Sequence, residues 1–108
     1  MSTELFKKDY LLIIIFNRKN VNLSFFVYIL LCNDGSYYTG YTQNLAQRIK
    51  LHTNGKGARY TKSRRPIKLA FVELFDSRSQ ALKREKNIKK MSHTQKQKLI
   101  IKNSYSPN

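Results

Sequence analysis

The sequence is poor in cysteine, histidine and acidic residues, and each shortage excludes a kind of site. Cys32 is the only cysteine, so the chain cannot form an internal disulfide. Its place in an apolar run predicts a small buried hydrophobe in a reducing, cytoplasmic compartment. With His52 and His93 as its two histidines, the chain has no zinc-site spacing. Its 108 residues, without internal repeats or long linkers, are enough for one core but not for two.

Acidic residues number 6 against 21 lysines and arginines, which gives a net charge of +15. A surplus of this size favours a polyanionic partner, and its scale favours nucleic acid over a small acidic substrate. A basic accessory of the ribosome or of another RNA machine would carry the same balance. Charge therefore predicts a nucleic-acid partner without separating these classes.

Long hydrophobic runs are also missing. Lys7 and Lys8, followed by the apolar run 10–16, resemble the start of a signal peptide, but no small-residue cleavage site follows. Because a bilayer needs about 20 apolar residues, we expect no membrane partner. We interpret residues 1–24 as an N-terminal extension to which no fold is assigned. If translation can begin nearer Val21, a chain without the first 22 residues should still fold.

Two apolar runs, 25–32 and 37–42, predict the strands of a β-hairpin. Both are rich in aromatic, aliphatic or β-branched residues. Asp34 and Gly35 between them form the strongest short-range hairpin signal. The chain is therefore expected to turn back on itself here.

The length of the hairpin loop decides where two tyrosines point. A two-residue turn would place Tyr28 and Tyr38 on opposite faces of the sheet. A three-residue loop, with Gly35 left-handed, pairs Tyr28 with Gly40 and puts both tyrosines on one face, roughly 7–8 Å apart. We adopt the second register, which predicts a shallow site with two phenolic hydroxyls and open space beside the Tyr28 ring.

A helix follows the hairpin. Asn44 can cap its start, and Leu45, Ile49 and His52 recur at helical spacing on one face. Arg48 lies on the same inward face, where it can snorkel, form an ion pair or offer a planar set of donors to a phosphate.

The rest of the chain predicts one more strand and two more helices. A polar loop runs to Pro66, and alternating residues predict a strand over 67–75. Hydroxyl and carboxyl side chains just before residue 80 can cap a helix over 80–90. A capping box at Ser92 opens a third helix through Ile101. The prediction is one domain over residues 25–102, with a frayed tail over 103–108.

Glu85 is the acid that breaks the pattern. It lies on the stripe of Ala81, Leu82 and Ile88 that should face the core, within an otherwise basic helix. A buried carboxylate is costly unless it is paired or holds a metal. An ion pair with Arg48, a position at the rim and a metal ligand therefore all stay open.

Cations are concentrated between the first helix and the third strand. Such a segment can track a phosphate backbone, with an aromatic ring stacked on a base. A solvated charged loop is the alternative. We predict nucleic-acid binding by a set to which the neighbouring histidine is added: His52, Arg59, Tyr60, Lys62, Arg64, Arg65 and Lys68.

Taken together, these residues resemble a GIY-YIG nuclease domain, and most closely its small stand-alone bacterial branch. The resemblance covers about residues 25–91. It implies an α/β fold, an α+β sandwich in which a three-stranded antiparallel sheet is flanked by helices. Phe26 and Thr39 stand where the two family motifs usually have Gly and Ile. The matching elements are Phe26-Val27-Tyr28, Tyr38-Thr39-Gly40, Asn44-Leu45, Arg48, His52 and Glu85.

The resemblance also implies a role for each site residue. Tyr28 would be the general base or would orient the attacking water, and Tyr38 would support it. Arg48 would neutralise charge on the phosphoryl oxygens, and Glu85 would hold one Mg²⁺ or Mn²⁺ ion. His52 would act at the rim of the site. The cation and Arg48 are expected to lower the pKa of the Tyr28 phenol.

The function implied by the resemblance is a metal-dependent endonuclease that hydrolyses phosphodiester bonds in DNA, in repair or DNA turnover. RNA and branched DNA are further candidate substrates, and no small-molecule cofactor is expected. The alternative is a nucleic-acid-binding protein of the same fold without appreciable turnover. No oligomeric state is predicted.

Overall fold

The computed structural model describes residues 25–103, which form three strands and four helices. The expectations for residues 1–24, and for the tail beyond residue 103, lie outside the described residues. In chain order the elements are β1 (Phe25–Cys32), β2 (Tyr37–Thr42), α1 (Leu45–Thr53), α2 (Arg59–Ser63), β3 (Pro66–Phe75), α3 (Arg78–Lys89) and α4 (His93–Lys102).

The three strands form one antiparallel sheet with β1 in the centre, in the order β2-β1-β3. Helices pack on both sides of it, which confirms the expected α/β fold with a three-stranded antiparallel sheet. Because β1 is covered on both faces, nearly all of its side chains are buried. This explains why its sequence is apolar at successive positions instead of alternating with polar residues.

The hairpin adopts the three-residue loop. The Gly35 N–H donates to the Cys32 carbonyl at 3.0 Å, and the Cys32 N–H donates to the Ser36 carbonyl at 2.9 Å. Gly35 has a φ of +84°, the left-handed conformation that this loop requires. Tyr28 accordingly pairs with Gly40, so the predicted register is confirmed.

The two faces of the sheet carry separate cores. The first, which we call the α1 face, is covered by α1; the second, the α3 face, is covered by α3 and α4. The buried core of the α1 face consists of Phe26, Tyr28, Leu30, Leu45, Ile49 and Leu69. The buried core of the α3 face consists of Val27, Ile29, Phe71, Ala81 and Ile88, with half-buried residues of α4 beside it.

Side-chain caps fix the start of the three longer helices. Asn44 accepts from the backbone N–H of the residue three positions on, and Ser77 does the same for α3. The predicted capping box at Ser92 is present in full. The Ser77 cap starts α3 at Arg78, two residues before the predicted start. The polar loop predicted up to Pro66 contains the short helix α2.

Two further observations concern the helices. Leu82 was expected on the inward stripe of α3, but its side chain is 38% exposed, because Ala81 and Ile88 are the residues that point into the core. Across residues 25–103, no helix has both the length and the apolar character needed to cross a membrane.

Candidate active site

Tyr28 lies near the middle of β1 on the α1 face and is 1% exposed. Its hydroxyl is 2.9 Å from His52 Nε2. Burial is the main cause that raises the pKa of this phenol well above its usual value; Tyr38 and Glu85 raise it further, and Arg48 lowers it. The expectation of a shallow site is therefore wrong, whereas the lowering of the Tyr28 pKa by a bound cation stays a prediction.

Gly40 forms one wall of this position. A Cβ built at Gly40 would lie 2.5 Å from Tyr28 Oη and 2.7 Å from Tyr28 Cζ. We expected open space beside the ring, but the ring itself occupies that space. The absence of a side chain at Gly40 therefore allows Tyr28 to lie flat against β2.

His52, in the last turn of α1, is fully buried and lies between two hydroxyls. Its Nε2 contacts Tyr28 Oη, and its Nδ1 is 2.8 Å from Thr61 Oγ1. Burial, followed by the charge of Arg48, lowers the pKa of His52 to about 4, so the imidazole is neutral at physiological pH. The predicted rim position is wrong, and His52 lies beneath the surface instead of facing nucleic acid.

Tyr38 links the buried pair to the surface. It is half-buried, and its ring centroid lies 6.4 Å from that of Tyr28 and 5.0 Å from that of His52. On its other side, the Tyr60 centroid is 6.0 Å away. Four aromatic rings therefore form one continuous cluster on the α1 face.

Arg48 is half-buried on α1, one turn before His52. Its backbone N–H donates to the Asn44 carbonyl at 3.1 Å, whereas its guanidinium makes no hydrogen bond or ion pair with any residue in the range 25–103. Its charge nevertheless lowers the pKa values of both Tyr28 and His52. The guanidinium is thus near both groups and has no partner among the described residues 25–103, and the ion pair with Glu85 considered above is not formed.

Glu85 belongs to α3, which packs on the opposite face of the sheet through Ala81 and Ile88. Its side chain is 16% exposed, and Lys89 Nζ lies 3.3 Å from its Oε2. The carboxylate is still near enough to Tyr28 to raise the pKa of the phenol. The structure therefore brings Tyr28, Tyr38 and Arg48 together on the α1 face, whereas Glu85 lies on a helix of the opposite face and acts on Tyr28 only through its charge.

The donor set around Glu85 is sparse. Between residues 25 and 103, no group of three or more His, Cys, Asp or Glu side chains could hold a metal. Mg²⁺ keeps several waters and binds through one or two carboxylates together with substrate phosphates. A single, largely buried carboxylate fits such an ion and does not fit a zinc or calcium site built from protein ligands.

Most cations of the basic segment are exposed, but one of them contacts other side chains of the protein. Arg64 Nε is 3.2 Å from Asp34 Oδ2, and its guanidinium lies 4.2 Å from the centroid of the Tyr60 ring. Arg64 therefore contacts the hairpin loop through Asp34, and its guanidinium is less available to bind phosphate than we expected. The exposed cations of the segment are Arg59, Lys62, Arg65 and Lys68.

Thr61 and Gly57 are the site residues that sequence reasoning missed. Thr61 is fully buried at His52 Nδ1, and a Cβ at Gly57 would lie 2.5 Å from the same nitrogen. Both fall in a stretch interpreted as a polar loop, where no periodicity distinguishes an inward position. A buried histidine needs hydrogen-bond partners for both ring nitrogens. That requirement was the available signal that a polar side chain of this stretch lies against His52.

The model of the GIY-YIG catalytic domain matches residues 24–98, a span that contains every residue of the candidate site. The chain is 53% identical over 75 residues to a UPF0213 protein of Staphylococcus saprophyticus, with 69% of this chain and 92% of the relative covered. It is 54% identical over 79 residues to a UPF0213 protein of Syntrophus aciditrophicus, with 72% and 91% covered.

Two solution NMR structures resemble the fold. One is the UPF0213 protein BH0048 from Bacillus halodurans, with 43% identity, a TM-score of 0.50, and coverage of 73% of this chain and 84% of that one. The other is the protein EF2693 from E. faecalis, with 36% identity, a TM-score of 0.52, and coverage of 77% and 91%. The names of these relatives state no activity, so chemistry has to be inferred from the residues themselves.

Proposed function

The chain belongs to the GIY-YIG family, and we propose that it is a metal-dependent endonuclease that hydrolyses phosphodiester bonds in DNA, in repair or DNA turnover. The observation that carries the proposal is the buried hydrogen bond of 2.9 Å between Tyr28 Oη and His52 Nε2. A phenol beside a neutral imidazole can take one proton and pass on another. Phosphodiester hydrolysis needs such a relay for its attacking water.

In the proposed reaction a water oxygen attacks phosphorus, and the bond from phosphorus to the 3′ oxygen breaks. The water proton passes to Tyr28 Oη as the phenol's own proton passes to His52 Nε2. The leaving 3′ oxygen then takes a proton from solvent. Because Tyr28 has a raised pKa, it stays protonated until this step, and a free phenolate is not required. A bound phosphate brings negative charge near His52 and makes its protonation easier.

Tyr38 and Arg48 are the side chains through which substrate would meet the buried pair. Both are half-buried, and Tyr38 lies against the rings of Tyr28 and His52. Arg48 has donors available for two phosphoryl oxygens, where negative charge grows as the bond breaks. Water that reaches Tyr28 would enter beside Tyr38, whose hydroxyl could orient it.

Glu85 would hold one Mg²⁺ or Mn²⁺ ion, which would supply positive charge to offset the charge that grows on the leaving oxygen. In the ion's absence Lys89 neutralises the carboxylate. Substrate binding would be supported by the exposed cations Arg59, Lys62, Arg65 and Lys68, whose contacts with phosphates make affinity fall as salt rises. The buried, unpaired Cys32 agrees with a reducing cytoplasmic setting.

Labelled single-stranded, duplex and branched DNA, incubated with Mg²⁺ or with EDTA, tests the proposal. Wild type should nick at least one substrate only with Mg²⁺. Tyr28→Phe and Glu85→Ala should each lower the rate by about 100-fold or more while binding persists. Tyr37→Phe, which removes a phenolic hydroxyl on the α3 face, is the matched control and should cleave like wild type. Equal cleavage by all four proteins would indicate a contaminating nuclease and defeat the proposal.

A second candidate function is nucleic-acid binding without turnover. Two observations favour it: Tyr28 is nearly inaccessible, and Glu85 is already paired with Lys89. Under this alternative, DNA or RNA binds with strong salt dependence but no metal produces nicks. The same incubation separates the two functions, because only the enzyme responds to Mg²⁺.

A further inference from the structure

Thr61 is the one buried residue of α2. Its hydroxyl oxygen lies 2.8 Å from His52 Nδ1 and 3.2 Å from the carbonyl oxygen of Ala58. On the other side of the imidazole, Nε2 contacts the Tyr28 hydroxyl. Tyr28, His52, Thr61 and the Ala58 carbonyl thus form one continuous series of hydrogen-bonding groups, with the two ring nitrogens in the middle.

Three hydrogens have to be placed in this series: two hydroxyl hydrogens and the single ring hydrogen of neutral His52. If Nε2 carried the ring hydrogen, the Tyr28 hydroxyl hydrogen would have no acceptor among residues 25–103, at a cost of about 1–3 kcal/mol. If Nδ1 carries it, every hydrogen has a partner. Tyr28 then donates to Nε2, Nδ1 donates to Thr61, and Thr61 donates to the Ala58 carbonyl.

We infer that Thr61 is a positioning residue, whose hydroxyl oxygen accepts the Nδ1 hydrogen of His52 and so keeps Nε2 ready to accept the Tyr28 proton. Which ring nitrogen is protonated is set by the hydrogen bond that the other nitrogen makes. Gly57 supports this arrangement, since a Cβ there would lie 2.5 Å from Nδ1. The catalytic consequence rests on the proposed function, whereas the hydrogen placement does not.

NMR of the ¹⁵N-labelled full-length protein tests the placement directly, because imidazole ¹⁵N shifts distinguish the two tautomers. Wild-type His52 should carry its hydrogen on Nδ1. Thr61→Val, which removes the acceptor but keeps the shape, should leave the Nδ1 hydrogen without a partner and so raise the fraction of the Nε2 tautomer above that of wild type. Thr61→Ser should restore the wild-type fraction. Thr39→Val is the matched control: it makes the same change at a buried hydroxyl that has no partner within residues 25–103. It should leave the His52 signals unchanged.

Cleavage assays supply the catalytic readout. Thr61→Val should lower kcat by up to about 100-fold, in step with the fraction of His52 protonated on Nε2, and should change KM little because substrate contacts remain. Thr61→Ser should recover most of the rate. Wild-type His52 protonated on Nε2, or an unchanged tautomer fraction in a folded Thr61→Val, would overturn the inference. The wild-type spectrum decides this even if Thr61→Val does not fold. If wild type cleaves no DNA but the tautomer responds as stated, the proposed function fails and the positioning role stands.

Discussion

The α1 face and the α3 face of the sheet treat buried polar groups in opposite ways. On the α1 face, Tyr28, His52 and Thr61 satisfy one another through consecutive hydrogen bonds. On the α3 face the core is apolar, and side-chain alternation along β2 directs Thr39 into it. The Thr39 hydroxyl has no hydrogen-bond partner within residues 25–103.

This difference is the reason that we place the proposed chemistry on the α1 face. Burying polar groups costs free energy unless each finds a partner, so a fully satisfied buried cluster is informative about function. The α3 face contributes mainly apolar burial, together with the ion pair between Arg84 and Glu73 at 2.7 Å and with Glu85, whose charge raises the pKa of Tyr28. If this division is correct, substitutions on the two faces should separate stability from catalysis.

The largest effect on stability is expected from Ile88→Ala on the α3 face. Ile88 is fully buried, and removing its side chain should lower the free energy of unfolding by about 2–5 kcal/mol. Cleavage per folded molecule should stay at the wild-type rate. Urea denaturation and active-site-normalised kinetics measure the two quantities. Leu82→Ala on the exposed flank of the same helix is the control and should cost much less. Comparable losses from both substitutions would contradict the assignment of Ile88 to the core.

The second-largest effect is the pH dependence of the free energy of unfolding that follows from the burial of neutral His52 on the α1 face. Its pKa of about 4 when folded lies below the ordinary value of about 6.5 for the unfolded chain. Between these values the unfolded state binds the extra proton, so stability falls as pH is lowered from about 6.5 to about 4. The loss should amount to about 3 kcal/mol.

Urea denaturation of wild type and His52→Gln at several pH values measures this contribution as a difference, since the carboxyl groups titrate equally in both. The variant should show a shallower decline below pH 6.5, the ordinary histidine value. His93→Gln, which changes an exposed histidine, should retain the wild-type profile. Parallel profiles for wild type and His52→Gln would show that His52 is not buried in the neutral form.

A smaller effect is expected from Gly40→Ala. The new Cβ would lie 2.5 Å from Tyr28 Oη, so the ring has to shift, which should cost about 1–3 kcal/mol and also slow cleavage. Gly35→Ala provides the contrast, because its strain comes from a φ of +84° and no atom lies within 4 Å of the added Cβ. That variant should lose about 1–2 kcal/mol of stability but retain the cleavage rate. Wild-type cleavage by Gly40→Ala would mean that the position of the Tyr28 ring is not critical.

The smallest effect should be a gain in stability. Thr39→Val replaces a buried hydroxyl without a partner by a methyl group, and it should raise the free energy of unfolding by up to about 1 kcal/mol. Thermal denaturation should show a higher Tm with unchanged cleavage. Thr53→Val, where the lost hydroxyl donates to carbonyls of its own helix, should give no gain. A lower Tm for Thr39→Val would contradict the assignment of Thr39 as a buried hydroxyl without a partner.

Local sequence signals were sufficient for the framework of the fold. Gly35 required a left-handed turn, and that requirement set the register that pairs Tyr28 with Gly40. Asn44 and Ser92 marked helix starts through capping, which depends on residues only three positions apart. These features follow from interactions within a few residues, so a single sequence contains them.

The depth of the site could not be predicted in the same way. Helical spacing placed His52 inward, but it did not reveal that α2 would cover the ring and supply Thr61. The paired state of Arg64 with Asp34 depends on two segments about 30 positions apart meeting in space. Burial and pairing of this kind arise from tertiary packing, for which periodicity along one element carries no signal.

The contact between His93 and the hairpin turn has a consequence for the order in which the molecule can be completed. His93 Nε2 lies 3.0 Å from the Gly35 carbonyl, 58 positions away, and its ring stacks on Tyr37. The bonds from Tyr28 to His52 and from His52 to Thr61 join residues only 24 and 9 positions apart. A nascent chain can therefore form the bonds among Tyr28, His52 and Thr61 as soon as residue 61 is available, whereas the contact of His93 with the turn has to wait until His93 has also been made.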